Sequence, residues 1–102
     1  MATQTGLGID QIIGDKREAI LRLAREYRAS NIRVFGSVAR GEATSKSDLD
    51  LLVTFQTNYT FWDQIGLQQD IETLIGRKVE VIHDKFLREE FVPYVMPDIV
   101  PL

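Results

Sequence analysis

The stretch Val34–Val53, which reads VFGSVARGEATSKSDLDLLV, decides the fold of this chain. In it a Gly36-Ser37 pair is followed, after ten intervening residues, by Asp48 and Asp50 within an apolar run. Side chains two apart in a strand project from the same side, so both carboxylates are expected on one face. Two such negative groups repel unless a cation lies between them, and hard oxygen ligands suit Mg²⁺ or Mn²⁺ bound together with phosphates. The pattern therefore predicts a site for a metal-bound nucleotide.

The Gly36-Ser37 pair has the surroundings of a phosphate loop. The apolar run Ile32–Phe35 before it predicts a strand, and Val38-Ala39-Arg40 after it can form the first turn of a short helix. Glycine lets a ligand approach the backbone closely, and the free N–H groups at the start of a helix favour a phosphate. The Ser37 hydroxyl adds one more donor.

A third carboxylate is expected near the two aspartates. Lys78–Ile82 is predicted to be a strand, in which Val79 and Val81 point one way and Glu80 the other. If the valines pack under helices together with the leucines of the Leu49–Phe55 strand, Glu80 emerges on the face that carries Asp48 and Asp50.

These elements follow one another as strand, Gly-Ser turn, short helix, polar loop and Asp-x-Asp strand. Together they resemble the nucleotidyltransferases of the DNA polymerase beta superfamily. They are most similar to the minimal nucleotidyltransferases, or MNT proteins, which are encoded beside HEPN-domain partners. The resemblance covers Ile20 to Ile82, with Arg40-Gly41 and Ser47-Asp48 also in the family's places. It implies an α/β (α+β) fold in which a short mixed β-sheet is backed by helices.

The resemblance also implies roles for individual residues. Three acids would bind metal and carry catalysis: Asp48, Asp50 and Glu80. The family usually has Asp in the third slot, so Glu80 is a departure. Four residues would bind the nucleotide: Gly36, Ser37, Arg40 and Ser47. For two of these the residues leave an alternative open, since Arg40 could instead pair with a nearby acid and Ser47 could instead orient the loop.

The implied activity is transfer of AMP from Mg-ATP to a hydroxyl. In the MNT proteins the acceptor is a tyrosine of a cognate HEPN ribonuclease toxin, so the resemblance implies the antitoxin of a toxin–antitoxin system. Two alternatives remain at this point: an antitoxin that neutralises its partner by contact alone, and an aminoglycoside-type transferase acting on a small molecule.

Length, charge and composition limit the classes of protein to which this chain can belong. The 102 residues are expected to form a single minimal nucleotidyltransferase domain, 1–102, with little room for a second lobe that would hold the acceptor. The formal net charge of −3 is not that of a protein that grips nucleic acid directly. The chain has no cysteine, and neither a signal peptide nor a membrane span is recognisable, so a cytoplasmic protein is expected.

Two helices are predicted around the strands. Apolar spacing favours one amphipathic helix over Asp10–Ala29 and another over Phe61–Ile75, the latter capped by Thr60 and ended by Gly76. The second is expected to bury four apolar residues: Trp62, Ile65, Ile71 and Leu74. Met1–Gly8 is expected to be loose.

The C-terminal segment, Phe86–Leu102, is unusually apolar, and its three prolines exclude a long helix. It is expected either to fold back over the sheet or to expose a patch for a homo- or hetero-oligomeric contact.

Overall fold

The fold is known from a computed structural model that describes residues 5–102. Residues 1–4 lie outside the described part, so the prediction that Met1–Gly8 is loose can be tested only for residues 5–8. There the prediction is wrong, because the backbone N–H groups of Gly6 and Leu7 donate to the carbonyls of Gly41 and Ala43, each at 2.7 Å. The start of the described chain is thus tied to the loop that precedes Asp48.

Four strands form one mixed sheet in the order β3-β2-β1-β4. They are β1 (Ala29–Phe35), β2 (Leu49–Phe55), β3 (Val79–His83) and β4 (Val100–Pro101). Strand β1 runs antiparallel to both β2 and β4, whereas β2 and β3 are parallel. The predicted short mixed sheet is confirmed, and β4, which has only two residues, is an addition that no sequence pattern indicated.

The helices are α1 (Ile9–Ile12), α2 (Arg17–Glu26), α3 (Gly36–Ala39), α4 (Phe61–Ile75) and α5 (Val92–Val95). The single helix predicted over Asp10–Ala29 is wrong, because α1 and α2 are separated by a 3₁₀ turn that begins at Gly14. Gly14 has φ +53°, a conformation that an α-helix cannot contain. Within residues 5–102, no helix combines the length and apolarity needed to cross a membrane.

The core lies between one face of the sheet and helices α2 and α4. Leu49, Leu51 and Val53 of β2 are fully buried, and Val79 and Val81 of β3 are buried beside them. The alternation expected for these strands is therefore confirmed, and the polar residues between them face away from this core.

Helix α4 has the predicted bounds but a different buried stripe. Its capping contact is the one expected, since the Thr60 N–H donates to Asp63 Oδ2 at 2.8 Å. Ile71 is fully buried, but Trp62 is 76% exposed, so the burial predicted for this residue is wrong. From Trp62 to Ile71 the helix makes two and a half turns at 3.6 residues per turn, which places the two side chains on opposite faces.

The outer edge of β3 is covered by side chains of α4 that follow one another at one-turn intervals. The Gln64 amide donates to the Val81 carbonyl at 2.8 Å, and Gln68 Oε1 accepts from the Val81 N–H at 3.1 Å. One turn further, Glu72 Oε2 accepts from the Val79 N–H at 3.0 Å. These three residues, named here the edge ladder, supply partners for backbone groups that would otherwise face solvent.

The C-terminal segment returns to the edge of the sheet at its end and exposes apolar side chains before that, while an oligomeric contact stays a prediction. Its last residues fold back as β4, and the Leu102 N–H donates to the Ile32 carbonyl at 2.9 Å. Before that strand, several large apolar side chains remain at least half exposed: Phe86, Phe91, Tyr94 and Met96.

Replacing Gly66 with alanine tests how tightly α2 and α4 pack. A Cβ at this position would lie 3.0 Å from Tyr27 Cζ and closer still to Cε1 of the same ring. The ring has little freedom to move, because the Tyr27 hydroxyl donates to Asp70. We expect Gly66→Ala to lower the free energy of unfolding by about 1–3 kcal/mol through overpacking, despite the higher helix propensity of alanine.

Urea denaturation measures this change. Gln69→Ala, at an exposed position of the same helix, is the matched control and should stay within about 0.5 kcal/mol of wild type. A Gly66→Ala variant as stable as this control would show that Tyr27 yields without cost.

Candidate active site

The Gly36-Ser37 turn lies where β1 passes directly into α3. Gly36 has φ +75°, which an L-amino acid with a side chain rarely adopts. A Cβ at Gly36 would also collide with Asp50 Oδ2. Glycine is therefore required here on two counts, and the second is a contact that the sequence did not predict: the turn is packed directly against one of the candidate metal ligands.

Asp50 and Glu80 lie side by side on the face of the sheet opposite the core formed with α2 and α4. The parallel register pairs Asp50 with Glu80 and Leu49 with Val79, so the two carboxylates share a face while the apolar residues share the other. This confirms the face predicted for Glu80. Asp50 is half-buried, whereas Glu80 is exposed.

The surroundings of Asp50 disfavour the charged form of its carboxyl group. Burial, and then the negative charges of Glu80 and Asp48, raises the pKa of the Asp50 carboxyl from 3.8 to about 6, while the positive charge of Arg40 acts in the opposite direction. Asp48, half-buried just before β2 begins, thus belongs to the same field of negative charge. An added cation would relieve this repulsion.

The three acids fit a cation that arrives with a nucleotide better than a resident metal. Within the described residues 5–102, no group of three or more His, Cys, Asp or Glu side chains is assembled closely enough to hold a metal ion. Their hard oxygens and concentrated charge nevertheless suit Mg²⁺, which keeps several waters and takes part of its shell from substrate phosphates.

Arg40 and Ser47 both make the protein contacts that the sequence left open as alternatives. Arg40 Nε contacts Glu42 Oε2 and Arg40 Nη1 contacts Asp98 Oδ2, both at 3.0 Å. The Ser47 hydroxyl accepts from the Thr44 N–H at 2.8 Å, which orients the loop before Asp48. A phosphate contact by either residue stays a prediction.

Arg77 is a supporting residue that the sequence did not reveal. Its Nη1 donates to the carbonyls of Thr44 and Ser47, at 3.1 and 2.7 Å, and so braces the loop that leads into Asp48. A lone arginine between a helix and a strand carries no local signal of this role, because its partners lie about thirty residues away in sequence.

Two other polar features lie apart from the acids. A groove of about 630 Å³ opens between α1, the end of α3 and β4, and Arg40 lines it although Asp48, Asp50 and Glu80 do not. His83 is buried at the far end of β3 among the rings of Phe55, Tyr59 and Phe86. Its packing agrees with the structural role that a lone histidine usually has.

Residues 16–100 match the nucleotidyltransferase domain family. The chain belongs to this family. A solved structure assigned to the minimal nucleotidyltransferases is 41% identical, with a TM-score of 0.78, over 86% of this chain and 90% of its own. The protein adenylyltransferase MntA of Thermococcus cleftensis is 32% identical over 78 residues, which are 76% of this chain and 79% of the relative.

A more distant solved structure shares the fold of this nucleotidyltransferase. It is the complex of a tri-AMPylated Shewanella oneidensis HEPN toxin with an MNT antitoxin, matched at 16% identity with a TM-score of 0.62 over 82% of this chain and 66% of the other. The fold and family expected from the Gly-Ser and Asp-x-Asp motifs are confirmed by these matches.

Gly36→Ala should disable the nucleotidyltransferase site by displacing the Asp50 carboxylate. The left-handed backbone alone costs alanine about 1–2 kcal/mol. Gly76 is a matched control, since it has nearly the same φ, +72°, and a Cβ there would extend into open space, with no contact within 4 Å. We expect both variants to lose stability, Gly36→Ala more because the clash with Asp50 is added, and a loss of Mg-ATP affinity of at least about tenfold only in Gly36→Ala.

Chemical denaturation and calorimetric titration with Mg-ATP separate the two effects. Equal Mg-ATP affinity in the Gly36→Ala and Gly76→Ala variants would mean that the close contact between Gly36 and Asp50 has no bearing on nucleotide binding.

The raised pKa of Asp50 predicts that its ionisation destabilises the fold. The folded state holds a proton on Asp50 up to about pH 6, whereas the unfolded chain releases it near 3.8, so stability falls as pH rises between these values. Asp50→Asn removes this dependence. We expect the variant to be more stable than wild type at pH 8, by about 1–2 kcal/mol once solvent screening is allowed for, and to approach wild type below pH 4.

Thermal unfolding at the two pH values, without nucleotide or divalent cation, checks this expectation. Glu18→Gln, which removes an exposed acid on α2, serves as the control and should show no such difference. A wild-type protein that is more stable than Asp50→Asn at pH 8 would contradict the assigned cause.

Proposed function

We propose that this nucleotidyltransferase moves AMP from Mg-ATP to a tyrosine hydroxyl of a cognate HEPN-type toxin and thereby acts as its antitoxin. The observation that carries the proposal is the packing of the Gly36-Ser37 turn against Asp50, with Glu80 beside it in the parallel register. In this arrangement the turn that would hold phosphates touches a carboxylate that would bind the cation, which supports the proposal.

The names of relatives support the identity of the transferred group and of the acceptor. MntA of Thermococcus cleftensis is named a protein adenylyltransferase, and the Shewanella oneidensis complex pairs an MNT antitoxin with an AMPylated HEPN toxin. Carrying both features over to this chain gives ATP as the nucleotide and a protein as the acceptor.

The acids have distinct parts in the proposed reaction. Asp48 and Asp50 would hold Mg²⁺, or Mn²⁺, together with the triphosphate, and Glu80, which is paired with Asp50 in the parallel register, would face the acceptor. When bound, the divalent cation neutralises the triphosphate and stabilises the charge that develops on the pyrophosphate leaving group. Because its pKa is raised to about 6, Asp50 without a bound cation is half ionised at about pH 6 and becomes fully ionised only well above that pH.

In the proposed transfer, the acceptor oxygen attacks the α-phosphorus in line. The new phosphorus–oxygen bond forms as the bond to the bridging oxygen of pyrophosphate breaks, and pyrophosphate leaves. Glu80, whose carboxylate is exposed on the face of the sheet opposite the core, accepts the hydroxyl proton directly or through a water molecule. The Gly36 backbone and the Ser37 hydroxyl hold the outer phosphates.

A protein acceptor also suits the surface of the chain. The apolar side chains of the C-terminal segment, with Phe86 63% and Tyr94 78% exposed, form a surface of the kind that a protein partner covers. We propose that the toxin docks on this segment, which gives this domain a hold on its acceptor.

The test uses purified wild-type protein, the product of the neighbouring gene, labelled ATP and Mg²⁺. Mass spectrometry should locate added AMP on a tyrosine of that partner, and omission of the divalent cation should abolish the transfer. Asp48→Asn should lose both ATP binding and transfer, and Glu18→Gln, which alters only an exposed acid, should match wild type.

Glu80 variants test the proton acceptor within the same assay. Glu80→Gln keeps the size of the side chain without its charge, so Mg-ATP binding should change by less than about threefold while single-turnover transfer falls at least about a hundredfold. Glu80→Asp should retain appreciable transfer. Normal transfer by Glu80→Gln would remove Glu80 from the mechanism.

Neutralisation of the toxin by a folded Asp48→Asn variant that binds the partner but transfers nothing would favour the antitoxin that acts by contact alone.

A further inference from the structure

An ion pair joins Arg40, which directly follows α3, to the C-terminal segment. Arg40 Nη1 and Asp98 Oδ2 are 3.0 Å apart, although the residues are 58 positions apart in sequence. Glu42 holds the same guanidinium at its Nε, also at 3.0 Å. The guanidinium is therefore held from two directions by acids on different elements.

The backbone ties Arg40 closely to the nucleotide-binding turn. The Arg40 N–H donates to the Gly36 carbonyl at 3.2 Å, and the Glu42 N–H donates to the Ser37 carbonyl at 2.9 Å. The backbone of Arg40 is therefore fixed relative to Gly36 and Ser37. Only the side chain of Arg40 can adopt different rotamers.

Asp98 is held in place by the same strand that supplies the turn. It ends a 3₁₀ turn over residues 96–98, and only Ile99 separates it from β4. Strand β4 pairs with β1 through Val34 and Val100, and β1 runs straight into Gly36. The position of Asp98 relative to the phosphate loop is thus set by sheet pairing rather than by a mobile loop.

The charge of Arg40 acts on the site, because it lowers the pKa of Asp50 against the raising effects of burial, Glu80 and Asp48. A guanidinium has five N–H donors, and the two acids occupy one at Nε and one at Nη1. The remaining donors are not engaged by these two acids, and guanidinium groups bind phosphate oxygens with good geometry.

We propose that Asp98 is a positioning residue that fixes the guanidinium of Arg40 for binding the triphosphate. The inference rests on the proposed function, in that it takes Mg-ATP as the ligand. A long arginine side chain loses rotamer freedom when it binds a ligand. Because Asp98 and Glu42 restrict it beforehand, less of that loss accompanies nucleotide binding, so Asp98 raises ATP affinity without touching the nucleotide.

The test is a double-mutant cycle on Mg-ATP affinity, measured by calorimetry on the full chain. We expect Asp98→Ala to weaken binding about threefold to tenfold, Arg40→Gln to weaken it by about tenfold or more, and Asp98→Glu to recover part of the loss. The double variant should bind no more weakly than Arg40→Gln, since Asp98 has nothing left to position.

Two further measurements separate positioning from a general structural role. At saturating ATP, the single-turnover transfer rate of Asp98→Ala should stay within about twofold of wild type, so that the defect lies in KM and not in kcat. Glu89→Ala removes an exposed acid from the C-terminal segment and should leave Mg-ATP affinity unchanged.

Unchanged or tighter binding by Asp98→Ala would overturn the inference, and so would an equal loss in the Arg40→Gln background, which would mean that Asp98 acts only by anchoring β4. Wild-type protein that fails to bind Mg-ATP would refute the proposed function itself and the inference with it.

Discussion

Repulsion between neighbouring carboxylates is the constraint on which this structure depends. Asp50 and Glu80 occupy paired positions of parallel strands, with the charge of Asp48 acting on the same group. Adjacent like charges destabilise a sheet, so the fold must offset their cost elsewhere. The opposite face of the same two strands does so, because there the side chains are apolar and fully buried under the helices.

The parts of the molecule that follow local rules were predictable from sequence. Alternation along β3 placed Glu80 on the face of the aspartates, and the register agrees. The bounds of α4 followed from a capping residue, Thr60, and from Gly76, whose φ of +72° ends the helix. The Gly36-Ser37 turn was recognisable because three features indicate a phosphate loop: its glycine, its position after a strand and its distance from Asp48.

What escaped prediction depends on contacts between distant segments. A helical pattern continues through Gly14, yet only the folded chain shows that α1 turns away there. Periodicity alone could not reveal which side of α4 meets the sheet, and so Trp62 was placed in the core although it is exposed. Arg77 and Asp98 act through partners thirty or more residues away, and no short pattern encodes such pairs.

The edge ladder of Gln64, Gln68 and Glu72 has a consequence for assembly. The donors of Val79 and Val81 and the acceptor of Val81 are already engaged, so an extended peptide cannot extend the sheet by hydrogen-bonding to them. At the other edge β4 has only two residues, and Pro101 has no N–H to donate. The groups engaged by the edge ladder and the shortness of β4 therefore disfavour extension of the sheet by another chain at these places, so a partner is expected to bind mainly through side chains.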